Sequence, residues 1–103
     1  MKFGLKEEDL TYIIRRIKEY DEIAKASIFG SRVKGNYKPG SDIDIAIYGE
    51  NVDFNTISSL QAKLEEEGPL PFFFDIVDYT HLTHKELQEH IDRVGQVIFK
   101  REG

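Results

Sequence analysis

The segment that most constrains this chain is Asp42-Ile43-Asp44-Ile45-Ala46-Ile47-Tyr48. Ile43, Ile45 and Ile47 fall on one parity, Asp42 and Asp44 on the other. Successive side chains of a β-strand point to opposite faces. The spacing therefore predicts a strand over 42–48 whose isoleucine face enters a core and whose other face carries both carboxylates. Upstream, the apolar run from Ala24 to Phe29 ends in Gly30-Ser31, and ten residues separate that pair from Asp42. This run predicts a short buried strand that stops at the glycine.

The other elements follow from period and punctuation. Leu10, Ile13, Ile14, Ile17 and Tyr20 recur at helical steps, predicting an amphipathic helix over 7–20. Ser31 is expected to cap one helical turn reaching Lys34. Gly35 to Gly40, with Pro39, is a loop. Asp53 or Asn55 caps a second helix carrying Ile57, Leu60, Gln61 and Leu64, which ends before Gly68-Pro69. Phe72 to Tyr79 predicts a third strand. Thr83 with Glu86 fits a capping box opening a third helix, stopped at Gly95. Val97-Ile98-Phe99 fits a short edge strand. No repeat or linker interrupts the 103 residues, which predict a single domain over 1–103. The expected class is α/β (α+β), a small mixed β-sheet with helices packed on it.

The site chemistry is read from the two strand ends. Glycine lets a backbone approach a phosphate closely, and a following helical turn aims free N–H groups at it. Gly30 and Ser31 suit that role, with Arg32 and Lys34 available to neutralise phosphate charge. Magnesium prefers oxygen ligands and binds through one or two carboxylates plus substrate phosphates. Asp42 and Asp44 suit such a cation, and a two-metal site calls for a third carboxylate. Asp75 and Asp78 are candidates, but three residues apart on a strand they face opposite ways. Asp75 lies inside the apolar run Phe72–Val77, where a buried carboxylate is costly unless paired or metal-bound, so Asp75 is expected to complete the set.

Composition narrows the partners. A net charge of −5 argues against a surface for long nucleic acid, although Arg32, Lys34 and Lys38 can still attract a triphosphate. The absence of cysteine excludes disulfides and thiolate metal sites. No apolar run reaches the roughly 20 residues that span a bilayer, so no membrane partner and a cytoplasmic location are expected. An EF-hand is excluded because its glycine position falls on Ile47. A Walker loop is excluded because no Gly-Lys-Ser/Thr follows Gly30. His81, His84 and His90 lack a zinc pattern, and His90 is expected on a helix surface or at an interface. The run Phe72-Phe73-Phe74 reads as core plus one packing face rather than a platform for a base.

Gly30-Ser31, ten residues, then Asp42-x-Asp44 resembles the signature of the minimal nucleotidyltransferases of the DNA polymerase beta-like superfamily. The likeness extends over nearly the whole chain, through the Phe-Asp strand to Glu89–Gly95. It implies the polymerase beta-like nucleotidyltransferase fold and transfer of AMP from ATP, with two Mg²⁺ ions, to a hydroxyl. By position, Asp42, Asp44 and Asp75 would be the catalytic, metal-binding residues, and Gly30, Ser31 and Arg32 the nucleotide-binding ones. Many members are antitoxins paired with a HEPN-domain ribonuclease toxin and modify one of its tyrosines, so that partner is the expected acceptor. So small a chain is also expected to form a homo- or hetero-oligomer. The alternatives are a small-molecule or RNA-end acceptor, and a non-catalytic module that blocks a toxin by contact.

Overall fold

Lys25–Phe29 (β1) and Ile43–Tyr48 (β2) pair antiparallel, with Phe29 opposite Asp44. Phe74–Asp78 (β3) lies parallel to β2, which sets Asp44 beside Asp75. Gln96–Lys100 (β4) pairs antiparallel with the other side of β1. The computed structural model, which describes residues 2–38 and 40–102, thus contains one mixed sheet in the order β3-β2-β1-β4. Pro39 of the expected loop lies outside the described residues. The helices are Glu7–Lys18 (α1), Ser31–Lys34 (α2), Phe54–Ala62 (α3) and Lys85–Val94 (α4). A π-helical turn, Lys63–Glu67, prolongs α3. No described helix is long and apolar enough to cross a membrane.

The alternation in β2 decides how the layers assemble. Ile43, Ile45 and Ile47 are fully buried, and with Ala26, Ile28, Phe74 and Ile76 they pack beneath α1 and α3. Each such side chain contributes about 1.5–3 kcal/mol relative to exposure. On the opposite face, Phe29 and Ala46 pack against Ile91 of α4, joined by Tyr48, Val77 and Leu87. Asp44 and Asp75 each stand two residues before a member of this second cluster, Ala46 and Val77. They share the α4 face but lie where the sheet is no longer fully covered.

Several ends differ from the sequence expectation. Gly30, not Ser31, is the N-cap of α2, at φ +82°, and Ser31 is its first helical residue. β2 begins at Ile43, so Asp42 stands just ahead of the strand. Asp53 caps α3 in a full capping box with Thr56, accepting from its N–H at 3.0 Å. His84, not Thr83, caps α4, because its Nδ1 accepts the Leu87 N–H at 3.1 Å. α1 stops at Lys18, short of Tyr20, although Tyr20 still packs into the core.

Candidate active site

Gly30 and Asp44 are built against each other. The antiparallel register puts Asp44 opposite Phe29, so its carboxylate lies over the backbone where β1 turns into α2. A Cβ on Gly30 would stand 2.1 Å from Asp44 Oδ2, and φ +82° already disfavours any side chain there. The backbone conformation favours glycine, and a methyl group there would also have to push the Asp44 carboxylate aside. The turn that follows leaves its first N–H groups without intrahelical partners, immediately beside an acidic group.

Asp44, Asp75 and Asp42 form one electrostatic group. Burial first, then Asp75 and Asp42, push the Asp44 carboxyl up to about 6, while Arg32 pulls it down. Repulsion between carboxylates is what a bound cation would relieve. The donor set is all hard oxygen, which fits Mg²⁺. Among the described residues no three acidic or histidine side chains converge into a ready cation cage. An ion here would take part of its shell from substrate phosphates and water, which is the habit of magnesium.

Two sequence expectations need correction. Asp75 was expected to be buried within its apolar run, yet it is exposed, as is Asp42. The reason is coverage: on β2 and β3 the apolar cluster under α4 begins at Ala46 and Val77, two residues beyond Asp44 and Asp75. Arg32 was expected to reach the nucleotide, but it is only 4% exposed. Its Nε and Nη2 donate to the Ser41 carbonyl at 3.2 and 2.9 Å, and its Nη1 donates to the Phe3 carbonyl at 2.8 Å. The guanidinium also lies between the rings of Tyr37 and Phe72, about 5 Å from each centroid. With its donors spent inward, Arg32 fixes the segment before Asp42 and influences Asp44 through its charge.

Other residues support the site without being visible in the motif. Glu65 of the π-helical turn accepts the Phe74 N–H at 2.8 Å, and Gln61 donates to the Phe74 carbonyl at 3.1 Å. Together they pin the start of β3, one residue before Asp75. The i,i+4 spacing of Gln61 and Glu65 was the available signal. His90 is half-buried, its ring edge-on to Phe29 at 6.3 Å. Burial, then Lys34 and Arg93, lower its pKa. Asp78, which faces away from Asp44, pairs instead with His81 at 2.8 Å.

The family model described as "Polymerase beta, Nucleotidyltransferase" matches residues 11–103. The chain is 32% identical over 102 residues to a Haemophilus influenzae protein named "Probable protein adenylyltransferase MntA", covering 98% of this chain and 88% of that one. It is similar in fold to a toxin-antitoxin complex with AMP-PNP, at TM-score 0.74 and 23% identity over 95% of this chain and 76% of that chain. It is likewise similar to a Shewanella oneidensis structure of a tri-AMPylated HEPN toxin with MNT antitoxin, at TM-score 0.73 and 20% identity over 94% and 74% of the two chains. The family model spans all four strands, and this chain belongs to the polymerase beta-type nucleotidyltransferases.

Proposed function

We propose that this chain transfers AMP from ATP, with two Mg²⁺ ions, to a tyrosine hydroxyl of a HEPN-domain ribonuclease toxin and thereby acts as its antitoxin in the cytoplasm. The observation that carries the reading is the pairing of Asp44 with Asp75 across β2 and β3, with the Gly30 turn packed on Asp44. That arrangement supports reading this sheet end as a phosphate grip beside carboxylates that would bind metal. The acceptor class is supported by the relatives. One is named a protein adenylyltransferase, and another structure holds an AMPylated HEPN toxin with its antitoxin type.

In this mechanism the N–H groups after Gly30 and the Ser31 hydroxyl hold the triphosphate at the end of β1. Asp42 and Asp44 would hold the metal ions, with Asp75 completing the set from β3. When bound, the ions neutralise charge on the attacking and leaving oxygens of an in-line displacement. Asp75 takes the proton of the acceptor hydroxyl. The acceptor oxygen bonds to the α-phosphorus, the bond from that phosphorus to the bridging oxygen breaks, and pyrophosphate departs with the electron pair. Asp44, held at about 6, is mostly ionised at neutral pH and thus competent as a ligand.

The test is to incubate the purified protein with Mg²⁺ and α-³²P-labelled ATP in host lysate, beside an Asp42→Asn/Asp44→Asn control. Label on one discrete protein band, absent in the control, is the expected result. Label confined to RNA or to a small molecule would overturn the choice of acceptor. Equal neutralisation of the toxin by the unlabelling control would favour action by contact alone.

A further inference from the structure

Phe73 stands in the open beside the site carboxylates. It is 70% exposed, one of three large hydrophobic side chains left in solvent among the described residues, with Phe54 and Val97. Phe54 opens α3 on the other layer, and Val97 lies on β4, across the sheet. Only Phe73 adjoins the site. The chain from 73 to 76 alternates exposed, buried, exposed, buried, with Phe74 and Ile76 in the core beneath α1 and α3. Phe73 therefore shares the face of Asp75 and of Val77. The Ile43 N–H donates to its carbonyl at 3.0 Å, which sets Phe73 level with the approach to Asp42. Its backbone is fixed from the other side as well, since Glu65 and Gln61 hold Phe74. A large apolar ring is thus presented to solvent on a braced segment beside the site carboxylates.

The direction of the reaction tells what meets that ring. In an in-line displacement the attacking and leaving oxygens lie on opposite sides of the phosphorus. The turn at Gly30 places the leaving phosphates at the end of β1. Crossing the sheet from β1 over Asp44 on β2 leads to β3, which is the edge of the sheet among the described residues. The acceptor must enter over that edge, past Asp75 and Phe73. We infer that Phe73 is the residue that selects the acceptor, packing against the aromatic ring that carries the attacking hydroxyl. A phenol offers a face for an edge-to-face or offset contact of the kind aromatic pairs prefer. A serine or a ribose hydroxyl offers no such ring. This inference rests on the proposed function and deepens it by naming the side chain that favours a phenolic acceptor.

The test uses the HEPN-domain protein that the wild type labels, with labelled ATP and Mg²⁺, and compares Phe73→Ala and Phe73→Tyr. Phe73→Ala should raise KM for the protein acceptor by about tenfold, the scale of a lost aromatic contact plus its buried area. It should leave kcat and the affinity for ATP close to wild type, and Phe73→Tyr should restore KM. Because the side chain is exposed, the melting temperature should not move. A fall in ATP affinity with an unchanged acceptor KM would overturn the inference, since the ring would then serve the adenine. No change in either constant would overturn it too. In both cases the wild type still labels its partner, so the proposed function stands; a wild type that labels no protein would remove both.

Discussion

At the residue scale the account turns on Gly30 and Asp44. Gly30→Ala would bring a methyl group within 2.1 Å of Asp44 Oδ2 at a positive φ. It should cost roughly 1–3 kcal/mol of stability and abolish transfer, measured by denaturant unfolding and by labelled-AMP incorporation. Asp44 makes a second, pH-dependent prediction. Its carboxyl is raised from the ordinary 3.8 to about 6, mainly by burial and then by Asp75 and Asp42. The folded state thus holds this proton more tightly than the unfolded chain does. The favourable contribution is complete below the unfolded value and is lost as pH rises through about 6. In EDTA, Asp44→Asn should therefore raise Tm near neutral pH, by roughly 1 kcal/mol or about 4–8 °C after allowance for partial exposure. Near pH 4 the two proteins should melt together. A lower Tm for Asp44→Asn at neutral pH would mean that the carboxylate is a structural partner rather than an uncompensated charge.

At the scale of elements, the loop before β2 and the start of β3 are held by side chains from outside the motif. Arg32 ties α2 to the Ser41 and Phe3 carbonyls. Removing it leaves acceptors unpaired and vacates the space between Tyr37 and Phe72. Arg32→Ala should cost about 2–4 kcal/mol, and Arg32→Lys should recover little, because a single ammonium does not reproduce the planar fork. A thermal melt of each variant checks this. Glu65→Ala removes the acceptor of the Phe74 N–H. It should lower kcat, because it loosens the strand that carries Asp75, and also cost about 1–3 kcal/mol in the melt, because the Phe74 N–H loses its acceptor.

At the scale of the whole molecule, what was legible followed from period. Alternation in Asp42–Tyr48 specified a strand and the buried face of its isoleucines, whereas Asp42 stands just ahead of that strand. The apolar stripes of α1, α3 and α4 specified helices packed on the sheet, and the structure divides them between its two faces. What escaped depended on contacts distant in sequence. The exposure of Asp75 is set by how far α4 reaches over the sheet, and nothing in Phe72–Val77 encodes that. The burial of Arg32 depends on Phe3, 29 residues away, and no local pattern distinguishes such an arginine from one that meets phosphate. His84 took the cap expected of Thr83, because an imidazole nitrogen accepts as a hydroxyl does. The Gly30–Ser31 and Asp42–Asp44 pairs were visible as motifs, but their mutual contact needed the antiparallel register.

The most direct measurement is the intact mass of the HEPN-domain partner after coexpression with this chain, followed by peptide mapping. The account predicts one or more AMP adducts on tyrosine, present with the wild type and absent with Asp42→Asn/Asp44→Asn or when purified components react in excess EDTA. An unmodified partner that the wild type nonetheless neutralises would contradict it.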